Sequence, residues 1–173
     1  AIPGRVYVNR WNGIFWEETR ITASDGERGD NFGGFTMSSS GNIVVVGAPG
    51  KNVRGNEEQG KVYVYERHGN HWQETWLTSS DGASGDFFGS YLDLTANGDT
   101  IAVGTPFKTI DNNTEQGKVY VYRRSGDTWI EQGIVASDGE SGDFFGIYPS
   151  LSADGNVISA LALNKIINAK GHE

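Results

Sequence analysis

The sequence predicts an all-β chain made of repeated, antiparallel four-stranded units. Three observations point there. SDGERGDNFG at residues 24–33 returns as SDGASGDFFG at 80–89 and as SDGESGDFFG at 137–146, offsets of 56 and 57 residues; self-similarity at a fixed period marks a repeat architecture. Short runs alternate side-chain type with a period of two, the signature of strands. Glycine supplies 25 of the 173 residues, about twice its ordinary share of roughly 7%. Several of these glycines sit in Asn-Gly and Asp-Gly pairs, which suit tight hairpins because they tolerate positive φ.

The elements follow in chain order. GRVYV at 4–8 matches GKVYVY at 60–65 and 117–122, so residues 1–23 read as the third and fourth strands of a unit. The first complete unit, 24–79, opens with the Ser-Asp-Gly linker. Its first strand is GGFTMS (33–38), ended by the turn Ser40-Gly41-Asn42, and its second is NIVVVGA (42–48). A ten-residue polar loop leads to the third strand, with Val62 and Val64 on one face and Tyr63 and Tyr65 on the other. A turn through Gly69 leads to the fourth, WQETWLT (72–78). The second unit, 80–136, repeats the plan: GSYLDLT (89–95), the turn Asn97-Gly98-Asp99, DTIAVGT (99–105), a polar loop, GKVYVY, and a turn at Gly126. Trp16, Trp72 and Trp129 hold the same place in each fourth strand. Residues 137–173 supply a further first strand, GIYPSLS (146–152), and a second strand beyond Asp154-Gly155-Asn156; SALALNKIINAK (159–170) is ambiguous between strand and helix. Pro149 removes a ladder donor from its strand, which only an edge strand tolerates.

A third strand apolar on both faces must be covered on both. Four-stranded units stacked face to face at a fixed period describe a β-propeller. A plain β-sandwich made by duplication explains three near-identical units less well. The period exceeds the roughly 40–45 residues of WD-type blades and the roughly 50 of kelch blades. The expectation is a β-propeller segment of about three four-stranded antiparallel blades, cut within a blade. Residues 1–23 form the outer two strands of one blade, 24–79 and 80–136 two whole blades, and 137–173 the inner two strands of another. Propellers hold about 4–8 blades, so the chain is expected to be part of a longer polypeptide or one member of an oligomer. Either further blades or a head-to-tail second chain would complete the ring.

Phe-Gly at 32–33, 88–89 and 145–146 opens each unit, Gly47-Ala48-Pro49 and Gly104-Thr105-Pro106 close second strands, and Gly-Lys-Val-Tyr-Val-Tyr follows. In these motifs the chain resembles the FG-GAP repeat family, the blades of integrin-α-type propellers. It is most similar to the bacterial and algal variety with Ser-Asp-Gly-x-x-Gly-Asp-x-Phe-Gly linkers. The resemblance implies a propeller used outside the cell or at its surface for adhesion or protein–protein contact, without catalysis. Two departures matter. Integrin-type blades often carry a calcium loop of spaced aspartates between the first two strands, whereas this chain has only SSSGN (38–42), TANGD (95–99) and SADGN (152–156) there. Calcium takes about six to eight oxygens, so calcium binding is not carried over to those turns. Leu161-Ala162-Leu163 also stands where the other units have Gly-Ala-Pro or Gly-Thr-Pro.

Composition excludes several classes. The balance of 14 basic against 22 acidic residues, net −8, argues against nucleic acid as a partner. No apolar run approaches the roughly 20 residues of a membrane-spanning helix. With no cysteine there is no disulfide framework and no thiolate nucleophile or ligand. No nucleophile elbow, phosphate loop or metalloprotease string occurs, and no carboxylate pair stands out from the repeat background. The chain is therefore expected not to be an enzyme and to need no cofactor. A divalent cation at the linker aspartates is the alternative to simple turn chemistry there.

The candidate binding surface is acidic. Loops 24–31, 50–59, 80–87, 107–116 and 137–144 should emerge on one face of the propeller. They hold 12 acids and 4 bases, so they carry the whole net charge of −8. The binding candidates among them are Asp25, Asp30, Glu57, Glu58, Asp81, Asp86, Asp111, Glu115, Asp138 and Asp143. A face of one sign steers a basic protein partner or gathers cations. Arg28-Gly29-Asp30 spells an integrin-binding tripeptide, but its Gly and Asp belong to the repeated linker and only Arg28 is new. His68 and His71 flank a hairpin tip and read as solvated turn residues, and His172 is uninformative. Asn112-Asn113-Thr114 is an N-glycosylation sequon in an exposed loop. The expected function is a non-catalytic binding or structural module. The alternatives are a glycan-binding or glycan-active protein using loop carboxylates, and a structural subunit of a larger assembly.

Overall fold

The computed structural model describes residues 4–165. Among them are twelve strands, all antiparallel, and no helix. The strands are β1 (Val6–Trp11), β2 (Trp16–Ile21), β3 (Gly34–Met37), β4 (Ile43–Ala48), β5 (Lys61–His68), β6 (His71–Leu77), β7 (Tyr91–Leu94), β8 (Thr100–Thr105), β9 (Lys118–Ser125), β10 (Thr128–Ile134), β11 (Phe145–Leu151) and β12 (Ile158–Ala162). Neighbours in sequence are neighbours in space: β3-β4-β5-β6 and β7-β8-β9-β10 form four-stranded meanders, and β1-β2 and β11-β12 form two-stranded sheets. The chain is a β-propeller segment of three blades' worth of strands, cut within a blade. The ambiguous stretch resolves as strand through Ala162 and turn beyond it, and residues 166–170 and His172 lie outside the described residues. The inner strands β3 and β7 are shorter than their sequence runs, at only four residues each. Their leading glycines, Gly33 and Gly89, have left-handed φ of 159° and 94° and belong to the linkers.

The alternation in the third strands builds the core. Val62 and Val64 of β5 join Val45, Leu77, Phe88, Leu94, Ile101, Val103, Tyr120 and Tyr122 in one cluster. Tyr63 and Tyr65, on the other face of β5, join Val6, Ile21, Phe32, Val44 and Val46. Val119 and Val121 of β9 repeat the valine side against Phe145, Leu151 and Ile158. The valine face of each blade thus packs on the tyrosine face of the next. Fully burying one such side chain stabilises by roughly 1.5–3 kcal/mol, and Tyr63, Tyr120 and Phe88 are all 0% exposed.

The Phe-Gly and Gly-Ala-Pro glycines meet at these interfaces. A Cβ on Gly47 would lie 2.1 Å from the Gly89 carbonyl oxygen, and one on Gly104 would lie 1.9 Å from that of Gly146. Both motifs therefore exist to let successive blades approach backbone to backbone. β7 contacts both β3 and β11 along the inner edge, where the Asp93 carboxylate accepts the Leu151 N–H at 2.7 Å. Pro149 sits in β11 within the register irregularity between Ile147 and Ser150, so the edge strand absorbs the lost donor by bulging.

Candidate functional site

The repeated linkers fold as turns pinned from below. In each, the second aspartate accepts a backbone N–H three residues earlier: Asp30 from Glu27 at 2.7 Å, Asp86 from Ala83 at 2.7 Å, Asp143 from Glu140 at 2.8 Å. Gly29, Gly85 and Gly142 supply the positive φ just before it. The residue after it is also left-handed: Asn31 in the first copy, Phe87 and Phe144 in the others. Asn is at ease in that region, but a phenylalanine there is an outlier.

A lysine reaches into every linker. Lys51 Nζ lies 3.1 Å from Asp30 Oδ2 and donates to the Asp25 carbonyl at 2.5 Å. Lys108 Nζ donates to Asp86 Oδ2 at 2.7 Å and to the Asp81 carbonyl at 2.5 Å. Lys165 Nζ donates to Asp143 Oδ2 at 3.1 Å and to the Asp138 carbonyl. Asp30, Asp86 and Asp143 are buried, at 4%, 3% and 3% exposure. Their carboxylates face the ammonium groups rather than solvent. The Asp of Arg28-Gly29-Asp30 is one of them, so that tripeptide is not presented as a ligand loop.

The first aspartate of each linker is more open and ties the linker to a third strand. Asp25 accepts Lys61 Nζ at 2.8 Å and the Tyr63 hydroxyl at 2.5 Å. Asp81 accepts Lys118 Nζ at 2.7 Å and the Tyr120 hydroxyl at 2.5 Å. Burial alone would raise these two carboxyls. The lysine and tyrosine hydrogen bonds and the nearby ammonium charges outweigh it, so both titrate below the usual carboxylate range. Burial is likewise the leading reason that Tyr63 and Tyr120 are pushed well above the usual phenol range, with their Asp partners adding to it. Asp143 is lowered chiefly by the Glu140 N–H, with Lys165 assisting.

Backbone hydrogen bonds gather the linkers and polar loops into one layer. Gly50 N–H donates to Asp30 O, Gly85 N–H to Glu57 O, Phe87 N–H to Glu58 O, and Phe144 N–H to Glu115 O. Lys61 and Lys118, from the strands, and Lys165 also reach this layer. These three lysines bring the balance of the acidic loops from −8 to −5. Four candidate acids lie beyond their reach and are exposed: Glu57, Glu58, Asp111 and Glu115. Glu58, Asp111 and Glu115 hold left-handed φ near 50°. Tight bridges Val53–Asn56 and Ile110–Asn113 shape the two loops, and exposed Asn112 sits at the tip of the second.

Sequence reasoning missed the lysine partners of the linker aspartates and a cluster of aromatic side chains in this layer. Phe107 packs edge-on between Phe87 and Phe144, with centroids 5.4 and 5.7 Å away, and remains 39% exposed. The matching residues, Gly50 and Asn164, are not aromatic, so departure from the repeat was the available signal. At the opposite end, His68 and His71 pair across their hairpin, 5.9 Å apart and exposed. Among the described residues, no group of three or more His, Asp or Glu has an arrangement that would hold a metal ion. No helix among them is long and apolar enough to cross a membrane.

The FG-GAP repeat family model matches residues 15–65 and 72–122, more than half of the chain. The chain belongs to the FG-GAP repeat family. Each match begins on a fourth strand, crosses the linker and ends on the next third strand, so the family unit contains the blade-to-blade junction described above. No curated protein matches the chain.

Proposed function

We propose that this chain is a non-catalytic docking module that works outside the cell or at its surface and takes a basic protein partner on its acidic loop layer. The observation that carries the reading is the set of exposed carboxylates that the internal lysines do not reach: Glu57, Glu58, Asp111 and Glu115. Exposed Phe107 lies beside them and offers an aromatic edge and face to a cationic side chain. The linker aspartates play no catalytic part in this reading, because Lys51, Lys108 and Lys165 already neutralise them. The same lysines make a bound divalent cation unnecessary.

The test is binding of a lysine- and arginine-rich peptide, measured at rising salt. Affinity should fall as ionic strength passes about 0.15 M, where the screening length is roughly 8 Å. The quadruple variant Glu57→Gln/Glu58→Gln/Asp111→Asn/Glu115→Gln should bind less, and addition of calcium or a chelator should change nothing. Salt-independent binding, or full binding by the quadruple variant, would refute the reading.

A second reading, glycan binding, is favoured by the inner edge. Phe35, Tyr91 and Tyr148 occupy one repeat position in the three inner strands. Phe35 and Tyr148 are 59% and 72% exposed, and they line a cleft of about 260 Å³ with Tyr91. A carbohydrate array with a hydrolysis screen separates this reading from the first.

A further inference from the structure

Three phenylalanines cross the loop layer in a row, and a glutamate stands beside each end of it. Phe107 lies edge-on between Phe87 and Phe144, with ring centroids 5.4 and 5.7 Å away. Phe87 N–H donates to Glu58 O and Phe144 N–H to Glu115 O, both at 3.0 Å. The order along the layer is therefore Glu58, Phe87, Phe107, Phe144, Glu115. Both glutamates are exposed, and Phe107 is 39% exposed. Arg54 is the only exposed base among residues 50–59 and 107–116, because Lys51 and Lys108 are buried against the linkers.

The row spans two junctions that are complete among the described residues: linker 80–89 on loop 50–59, and linker 137–146 on loop 107–116. Both loops are bolted to their linkers. Asn56 Nδ2 donates to the buried Gln59 Oε1 at 2.9 Å and to the Gly82 carbonyl at 3.1 Å. Asn113 Nδ2 repeats this with Gln116 Oε1 at 2.9 Å and the Gly139 carbonyl at 3.3 Å. Rings and glutamates thus form a surface fixed in advance, which lowers the ordering cost of binding.

The repeat does not require this row. Gly50 and Asn164 stand in the place of Phe107, and Asn31 in the place of Phe87 and Phe144. Gly50 and Asn164 give their N–H groups to the linker carbonyls of Asp30 and Asp143 at 3.0 and 3.3 Å, a bond that Phe107 does not make. The three rings lie outside all three core clusters, so blade packing does not explain them. A contiguous aromatic patch kept at the surface marks an interaction site.

We propose that the row captures an extended segment of a partner protein with the pattern Arg-x-apolar-x-Arg; this rests on the reading of the acidic layer as a docking face and names what that face selects. Residues i, i+2 and i+4 of an extended segment share one face, roughly 6.5–7 Å apart, close to the spacing of the rings. The apolar side chain lies over Phe107. Each guanidinium stacks on the ring beside it, Phe87 or Phe144, and pairs with the carboxylate beyond, Glu58 or Glu115. Arginine suits both contacts at once, because its plane stacks on aromatic faces and its edge meets a carboxylate through two N–H donors. Five extended residues are the shortest segment that reaches both ends of the row.

Fluorescence anisotropy of two labelled peptides on the intact chain, at about 0.15 M salt, tests the proposal. Gly-Arg-Gly-Leu-Gly-Arg-Gly carries the pattern; Gly-Gly-Arg-Arg-Leu-Gly-Gly has the same composition and charge without it. The patterned peptide should bind at least about fivefold more tightly. Phe107→Asn, which installs the residue of the third unit, should abolish that preference. Glu58→Gln with Glu115→Gln tests the same geometry without touching a packed ring, and should weaken the patterned peptide more than the scrambled one. Equal affinity for the two peptides, lost in the quadruple carboxylate variant, would overturn the row as the recognition element and leave the acidic layer as a docking face. Binding of neither peptide would overturn both readings. A preference that survives Phe107→Asn, or one shown only by a helical peptide with its bases at i and i+8, would overturn the proposal alone.

Discussion

Replacing Lys108 by Met isolates the contribution of the internal lysines. The side chains are of similar length, so the change removes the ammonium while leaving most of the packing. In the native chain that ammonium is 7% exposed and the Asp86 carboxylate 5%. They meet at 2.7 Å, and the same ammonium holds the Asp81 carbonyl at 2.5 Å. Without it, Asp86 keeps only the Ala83 N–H at 2.7 Å and becomes a buried charge with no counter-ion. Breaking a buried pair from one side costs about 3–5 kcal/mol. For a chain of this size, each kcal/mol moves the melting temperature by roughly 2–4 °C, so a fall of roughly 6–20 °C is expected. Arg20→Met serves as the control: its pair with Glu18 is 62% and 44% exposed, and such surface pairs contribute only about 0.2–1 kcal/mol. Urea unfolding followed by tryptophan fluorescence reads both. A Lys108→Met variant within about 1 kcal/mol of the parent would refute the idea that the ammonium compensates the buried carboxylate. Adding Asp86→Asn should recover part of the loss, because no charge is then stranded.

Two further outcomes follow from the same layer. Asp25, Asp81 and Asp143 all titrate below the ordinary carboxylate value, so the native state binds their protons less tightly than the unfolded chain does. The stability they contribute is fully present above about pH 4 and is lost as pH falls through their native values. Urea midpoints should therefore be level from about pH 7 to 5 and drop steeply below 4; a midpoint that held or rose in acid would contradict this. Gly104→Ala drives a methyl into the Gly146 carbonyl, whose oxygen would be 1.9 Å away, and should cost at least the roughly 1–3 kcal/mol of overpacking. Gly126→Ala, with open space around it but φ of 59°, should cost less in the same denaturation series.

What was legible in the sequence was whatever the repeat states three times. Valine and tyrosine alternate in β5 and β9 because each blade is covered on both faces, and the Phe-Gly and Gly-Ala-Pro glycines recur because Gly47 and Gly104 touch the next linker's backbone. Strand number and order therefore follow from local patterns alone. The lysine partners were harder to see, since Asp30 and Lys51 lie far apart in sequence and only folding brings their charged groups to 3.1 Å. A signal did exist: Lys51, Lys108 and Lys165 recur at the repeat offset, as Asp30, Asp86 and Asp143 do. Two sets of opposite charges conserved in register within one chain are an ion-pair hypothesis before any coordinates exist.

That pairing changes how the acidity of the chain should be understood. A count of charges by loop assigns the linker aspartates and the loop glutamates to one continuous surface. The structure separates them by what lies beneath. The linker carboxylates are structural, each set fixed by an ammonium that enters from the same unit. Glu57, Glu58, Asp111 and Glu115 have no such neighbour among the described residues and project from loops whose left-handed residues hold their shape. Features common to every copy belong to the junctions between blades. Features found once or twice, such as Phe107 packed between two strained phenylalanines, answer to something the repeat does not require. A surface for a partner is best sought among the second kind, and on this chain they lie together with the free carboxylates at one end of the sheets.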